Sequence, residues 1–110
     1  MVVGDSAFGF SGMELETAAR YKFPIKVIVI NNNGIAMGAE EIDEDGTPKD
    51  IPVTALSPSA RYELVSQAFG GKGKEVTKHD DLRSTLQEAL NDNNMWVINC
   101  RIAPTASKKA

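Results

Sequence analysis

The segment GDSAFGFSGMELETAARYKFPIKVIVINNNGI, from Gly4 to Ile35, decides the fold. A glycine–aspartate–serine turn opens it, and three asparagines followed by a glycine close it. The part between these turns has helical features until Pro24, which cannot continue a helix. The run from Ile25 to Ile30 then holds five aliphatic residues interrupted by one lysine, which is typical of a strand covered on both faces in a parallel sheet. The segment therefore predicts a helix that leads into a buried strand.

The sequence on either side continues this alternation of strands and helices. The predicted elements are a strand ending at Gly4, a helix capped by Ser11, the strand from Ile25, a helix capped by Ser57, a short strand over 74–76, a helix from Thr77 and a final strand over 95–102. Ser11 has a glutamate three residues later, and Ser57 precedes a proline; both are typical starts of helices. Strands alternating with helices predict an α/β fold, an open parallel sheet with flanking helices.

Residues 1–110 are predicted to form at most one domain of common size. Within it, 31–56 is predicted to be a long acidic loop, since it contains three glycines, two prolines and six acidic residues. Its EEIDEDG run lacks the donor spacing of a calcium-binding loop, which favours a solvated loop. Residues 103–110 are predicted to be a frayed tail. Because Val2 already reads as core sequence, we expect the chain to be part of something longer.

Composition excludes several classes of protein. The net charge of −3 and the absence of a basic stripe argue against a nucleic-acid partner. No apolar run approaches the roughly 18 residues of a membrane span, so no membrane association is expected. The single cysteine, Cys100, excludes an internal disulfide and a cysteine zinc cluster, and without a signal peptide we expect an intracellular, reducing compartment. His79, the single histidine, is predicted to be a surface residue.

The two turns of the opening segment follow predicted parallel strands, so they should meet at the edge where ligands bind. Asp5 offers a carboxylate, Asn32 or Asn33 an amide oxygen, and the glycine turn backbone carbonyls. These hard oxygens suit Mg²⁺ or Ca²⁺, and the small residues Ser6 and Ala7 would let backbone N–H groups approach a diphosphate bound to the metal. The alternative is ordinary turn chemistry, because Asn and Asp tolerate left-handed backbone and cap helices.

The spacing of these turns carries a family resemblance. GDS, then 24 residues, then NN resembles the cofactor-binding motif of thiamine-diphosphate enzymes, whose usual form begins Gly-Asp-Gly. The opening segment, SPSARYELVSQAFGGKG and INCRIAPTASKKA resemble the branch that contains 2-hydroxyacyl-CoA lyase and oxalyl-CoA decarboxylase. The resemblance covers nearly the whole chain and is weakest over 37–53. It implies the C-terminal part of a thiamine-diphosphate-binding domain.

The resemblance also implies a role for particular residues. The magnesium ligands would be the carboxylate of Asp5, the side chain of Asn32 and the backbone carbonyl of Gly34. The residues that would line the diphosphate pocket are Ser6, Ala7 and Ile35. The glutamate that activates the cofactor lies in an N-terminal domain of the family, so no catalytic residue is assigned within this sequence. At Ala36 the chain departs from the tyrosine that relatives carry, which bears on how the substrate is handled.

The family reaction uses the cofactor as a nucleophile on a carbonyl carbon and then as an electron sink. The resemblance implies an acyl-CoA substrate: the lyase cleaves a 2-hydroxyacyl-CoA to formyl-CoA and an aldehyde shortened by one carbon, a step of fatty acid α-oxidation. The alternative decarboxylase converts oxalyl-CoA to formyl-CoA and carbon dioxide. The resemblance further implies a homo-oligomer for the full-length enzyme, in the cytoplasm or the peroxisome. A rival expectation is a truncated, non-catalytic binding or interaction module.

Overall fold

The computed structural model describes residues 1–36 and 51–104. The strands are Val2–Gly4 (β1), Lys26–Asn31 (β2), Lys72–Val76 (β3) and Trp96–Arg101 (β4). The helices are Asp5–Ser11 (α1), Leu15–Arg20 (α2), Glu63–Ala68 (α3) and His79–Leu90 (α4), with a 3-10 turn over Gly12–Glu14. Most of the predicted acidic loop and of the predicted frayed tail lies outside the described residues. Within 1–36 and 51–104, no helix is both long enough and apolar enough to cross a membrane.

The four strands form one sheet in the order β1-β2-β4-β3, and every pair is parallel. Gly4 lies beside Ile30 in the register of β1 and β2, and Val29 lies beside Asn99 in that of β2 and β4. The predicted α/β fold with an open parallel sheet and flanking helices is confirmed. Because all strands run the same way, the residues that follow β1 and β2 leave the sheet at the same edge.

Alternate side chains of the central strands enter two apolar layers, as the two-residue period of a strand requires. The layer under α1, α2 and α3 contains Phe8, Leu15, Ala18, Val27, Val29, Met95 and Val97. The layer under α4 contains Val76, Ala89, Trp96 and Ile98. In β2, however, Val27 and Val29 are buried while Ile28 and Ile30 are half-buried. The prediction of a strand covered on both faces is correct for one face, because α4 packs on β3 and β4.

Two predicted helix starts differ from the structure. Ser11 precedes the 3-10 turn that leads into α2, as predicted, but its side chain makes no capping hydrogen bond, and a further helix, α1, begins at Asp5 directly after β1. The helix predicted from Ser57 begins only at Glu63. A tertiary contact explains this later start of α3. The guanidinium of Arg101 donates to the carbonyl of Pro58 at 2.7 Å and to that of Ala60 at 3.2 Å. These bonds, with the one from the N–H of Ala60 to the carbonyl of Ser57 at 3.3 Å, hold the preceding residues in a turn.

A close backbone contact between α3 and β3 gives the first testable prediction. A Cβ atom at Gly73 would lie 2.2 Å from the carbonyl oxygen of Glu63, so Gly73→Ala forces α3 away from β3. We expect the free energy of unfolding to fall by about 1–3 kcal/mol. Urea unfolding followed by the fluorescence of Trp96, the single tryptophan, measures the change.

Gly9→Ala is the matched control, because a Cβ atom there meets nothing within 4 Å. That substitution lies inside a helix and should stabilise the chain by about 0.5–1 kcal/mol. A Gly73→Ala chain as stable as the unsubstituted one would contradict the close packing of α3 on β3.

Candidate functional site

The two turns highlighted by the sequence meet at one edge of the sheet. Asp5 follows the last residue of β1, and Asn31 is the last residue of β2. The strands are parallel neighbours, so their following residues emerge side by side. The backbone N–H of Gly34 donates a hydrogen bond of 3.1 Å to Oδ2 of Asp5, which joins the two turns directly.

The carboxylate of Asp5 is buried, with only 2% of the residue exposed. Its Oδ1 accepts the backbone N–H of Ser6 at 2.9 Å, and its Oδ2 accepts that of Gly34. Among residues 1–36 and 51–104 no lysine or arginine forms an ion pair with it. Burying a carboxylate without a countercharge is costly, and a cation beside it would offset that cost. The residue therefore fits a metal site.

The turn that follows β2 is held in a definite conformation. Asn33 adopts a left-handed backbone with φ of 62°, which asparagine tolerates better than most residues. Its carbonyl accepts the N–H of Leu56 at 2.8 Å, and the N–H of Ile35 donates to the carbonyl of Thr54 at 2.8 Å. A second stretch of chain thus braces the turn. The side-chain nitrogen of Asn32 donates to the carbonyl of Ala36 at 3.0 Å, and no group in 1–36 or 51–104 donates to its amide oxygen.

The six residues predicted for the site lie at or beside these turns. Asp5 and Gly34 are in direct contact, and Asn32 is half-buried in the same turn as Gly34. Ser6 is half-buried and Ala7 exposed in the first turn of α1, while Ile35 is 51% exposed just after the asparagines. No described N–H group donates to the carbonyl of Gly34.

The available donors are one carboxylate, one amide and one carbonyl. Consistent with this set, no group of three or more His, Cys, Asp or Glu side chains in the described ranges could hold a metal. The oxygens present are hard donors, which fit Mg²⁺ better than zinc or copper. Asn33, which the spacing left open as an alternative donor, has a buried Oδ1 with no partner among the described atoms.

Three buried polar residues behind the turn escaped the sequence analysis. Asn31, Asn99 and Glu63 are each at most 1% exposed and are linked by hydrogen bonds. Asn31 was noted only as part of a turn. The one available signal was the asparagine inside the apolar run of the last strand, since a polar residue in such a strand needs a buried partner.

Tyr62 forms an aromatic wall near the carboxylate. Its ring packs edge-on against Phe8, with 5.7 Å between centroids and 76° between planes. Burial raises the pKa of the Tyr62 hydroxyl above its ordinary value, the negative charge of Asp5 raises it further, and Arg101 lowers it. The pKa of Tyr62 therefore depends on the charge of Asp5.

Comparison with known proteins decides the family. Residues 1–100 match the model of the thiamine pyrophosphate enzyme, C-terminal TPP binding domain. The chain belongs to this family. The resemblance drawn from the GDS and NN spacing is therefore confirmed for this TPP-binding domain.

Curated relatives of two kinds match this TPP-binding domain. It is 43% identical over 116 residues to 2-hydroxyacyl-CoA lyase 1 of Homo sapiens, covering 99% of this chain and 20% of the relative. It is 40% identical over 109 residues to oxalyl-CoA decarboxylase of Escherichia coli, covering 99% of this chain and 19% of the relative. The chain thus spans about a fifth of the length of these relatives.

The fold is also found in solved structures. A thiamine diphosphate-dependent 4-hydroxybenzoylformate decarboxylase from Rhodococcus jostii matches with a TM-score of 0.75 and 24% identity. The match covers 96% of this chain and 20% of that one. It supports the assignment of the fold.

The pKa of Tyr62 tests whether the charge of Asp5 lies beside it. In a Tyr21→Phe chain, Tyr62 is the single remaining tyrosine, and its titration is read from tyrosinate absorbance. We expect a pKa above the ordinary 10.0, and a lower pKa after Asp5→Asn removes the negative charge. Asp81→Asn, an exposed residue on α4, should leave the pKa unchanged. Equal pKa values in the Asp5→Asn and parent chains would contradict the proximity.

The same shift fixes the sign of a pH effect on stability. Because the pKa of Tyr62 is raised in the folded state, its contribution to the free energy of unfolding is complete below pH about 10. That contribution is lost as the pH rises through the pKa of the folded state. The Tyr62→Phe chain should therefore lose less stability than the parent when urea unfolding is repeated at increasing pH above 10.

Proposed function

We propose that this chain is the cofactor-binding portion of a thiamine-diphosphate- and Mg²⁺-dependent carbon–carbon lyase that acts on a 2-hydroxyacyl-CoA. The observation that carries the proposal is the buried carboxylate of Asp5, joined to Gly34 and lacking a described basic partner. Membership of the TPP-binding family supplies the cofactor that such a site would hold. The 2-hydroxyacyl-CoA lyase relatives supply the reaction class.

In this proposal, three oxygens of the chain hold the metal. They are a carboxylate oxygen of Asp5, the amide oxygen of Asn32 and the backbone carbonyl of Gly34. Mg²⁺ prefers six oxygen ligands, so three protein ligands leave positions for diphosphate oxygens and water. The hydrogen bond between Asp5 and Gly34 supports the assignment, because it holds two of these ligands next to each other before any metal binds.

The diphosphate is proposed to lie along the first turn of α1. The first N–H groups of a helix lack intrahelical acceptors and favour an anion. The N–H of Ser6 already donates to Asp5, so the N–H of Ala7 and the hydroxyl of Ser6 would face the diphosphate. Ile35 would close the pocket from the other turn. When bound, thiamine diphosphate supplies a carbon nucleophile and an electron sink. The residues of this chain bind and orient it.

Identity to the lyases ranges from 37% to 44% and brackets the 40% to the decarboxylase, so the preference for the lyase reaction rests on the human and rice lyases, at 43% and 44%. Both reactions release formyl-CoA, so the second product distinguishes them. The protein that contains this chain should yield an aldehyde from 2-hydroxyacyl-CoA; carbon dioxide from oxalyl-CoA would instead favour the decarboxylase. A homo-oligomer in the cytoplasm or peroxisome belongs to the same proposal.

Calorimetric titration with thiamine diphosphate tests the metal assignment. We expect binding that requires Mg²⁺ and disappears when the metal is chelated. Asp5→Asn keeps the shape of the side chain but removes the charge, and should weaken binding on the order of 100-fold. Asp81→Asn makes the same change at an exposed residue on α4 and should bind as the parent does.

Circular dichroism of each variant shows that it is folded. The proposal fails if the folded parent shows no Mg²⁺-dependent binding, or if Asp5→Asn binds thiamine diphosphate as tightly as the parent.

A further inference from the structure

A buried chain of hydrogen bonds connects α3, through the middle of the sheet, to the turn over 32–36 that follows β2. We call this turn the asparagine turn. Oε2 of Glu63 accepts from Nδ2 of Asn99 at 2.9 Å. Oδ1 of Asn99 accepts from Nδ2 of Asn31 at 3.1 Å. Oδ1 of Asn31 then accepts the backbone N–H of Asn33, also at 3.1 Å. We call the side chains of Glu63, Asn99 and Asn31 the amide relay.

The negative charge of Glu63 gives the amide relay its direction. An ionised carboxylate can only accept hydrogen bonds, and the other oxygen of Glu63 is already engaged by Nε of Arg61. Asn99 must therefore turn its nitrogen towards Glu63 and its oxygen towards Asn31. The same constraint turns the oxygen of Asn31 towards the asparagine turn. One carboxylate thus orients two amides whose shape would fit either way round.

The amide relay ends on the residue between two proposed metal ligands. Asn33 separates Asn32 from Gly34, and its N–H belongs to the peptide group that follows Asn32. Its carbonyl belongs to the peptide group that precedes Gly34 and is held by the N–H of Leu56. Both peptide groups around the left-handed residue are therefore fixed, one of them by the amide relay.

We propose that Glu63 and Asn99 are positioning residues that hold the asparagine turn in the conformation that binds the magnesium diphosphate. They act through Asn31 and do not touch the metal. This inference rests on the proposed function, because it concerns the same site. Partners behind the direct ligands commonly change metal affinity on the order of 10- to 100-fold.

An isosteric substitution separates positioning from packing. Glu63→Gln keeps the shape but offers one carbonyl oxygen to two donors, Nε of Arg61 and Nδ2 of Asn99. Either one donor loses its acceptor, or Asn99 turns over and presents its nitrogen to that of Asn31. A residue that merely filled the core would tolerate this change without any effect on the asparagine turn.

A charge exchange within the amide relay provides the rescue. Asn99→Asp alone places two carboxylates face to face and breaks the relay. Combined with Glu63→Gln, the new aspartate accepts from Asn31 and from the new glutamine, whose oxygen still accepts from Arg61. Every hydrogen bond is restored with the same direction at Asn31. The double variant should therefore recover what each single variant loses.

The first measurement uses the full chain without cofactor. Hydrogen exchange of the Asn33 amide, followed by nuclear magnetic resonance, should be faster by about 10-fold in both single variants, because one hydrogen bond is lost. The double variant should return to the parent rate. Asp81→Asn is the control: it makes the same kind of change at an exposed carboxylate on α4, outside the amide relay, and should leave the rate unchanged.

The second measurement titrates the same variants with Mg²⁺ and thiamine diphosphate. The single variants should bind on the order of 10-fold more weakly, and the double variant and Asp81→Asn as the parent does. Unchanged exchange in Glu63→Gln, or no recovery in the double variant, overturns the inference. Altered exchange with unaltered affinity overturns the role in cofactor binding. If the parent binds no cofactor, the proposed function is what fails, and the exchange rates alone decide whether the amide relay holds the turn.

Discussion

The parallel pairing of β1 with β2 is the constraint on which the candidate site depends. It places Gly4 beside Ile30, so that the residues immediately after both strands leave the sheet at one edge. Asp5 then has no route to solvent and must find donors among the neighbouring turns. It finds the N–H groups of Ser6 and Gly34. A shift of one residue in this register would turn β2 over and separate the carboxylate from the asparagine turn.

The polar interior behind this edge is costly and therefore calls for a reason. Burying Glu63, Asn99 and Asn31 removes three polar side chains from water, and apolar residues of similar size would often stabilise a fold as well or better. Apolar residues, however, cannot orient a hydrogen-bond acceptor towards a particular donor. A chain of donors and acceptors that begins at a carboxylate can point an oxygen at one chosen N–H group, and here that group lies between the two proposed ligands.

The sequence predicted the strands and the edge of the sheet, because both follow from local pattern: aliphatic runs, breaking residues and the order of elements. It also predicted that the turns after β1 and β2 meet, as the hydrogen bond between Gly34 and Asp5 confirms; that they form one metal site stays a prediction. It could not predict the amide relay, which depends on β4 lying between β2 and β3 and on Asn99 pairing in register with Val29. It misplaced the start of α3 because Arg101, more than forty residues later, binds the carbonyls that an earlier helix would have used.

That misplaced start has a structural consequence for the site. Residues 57–62 form a turn instead: the N–H of Ala60 donates to the carbonyl of Ser57 at 3.3 Å, and Arg101 binds the carbonyls of Pro58 and Ala60. This turn joins α3 to the segment that braces the asparagine turn. Glu63 can then start α3 beneath Asn99 while Leu56 still reaches the carbonyl of Asn33. Arg101 therefore supports the asparagine turn by a route that does not pass through the amide relay: it holds the turn over 57–62, which leads to the segment whose Ala55 pairs with Gly34 and whose Leu56 binds Asn33.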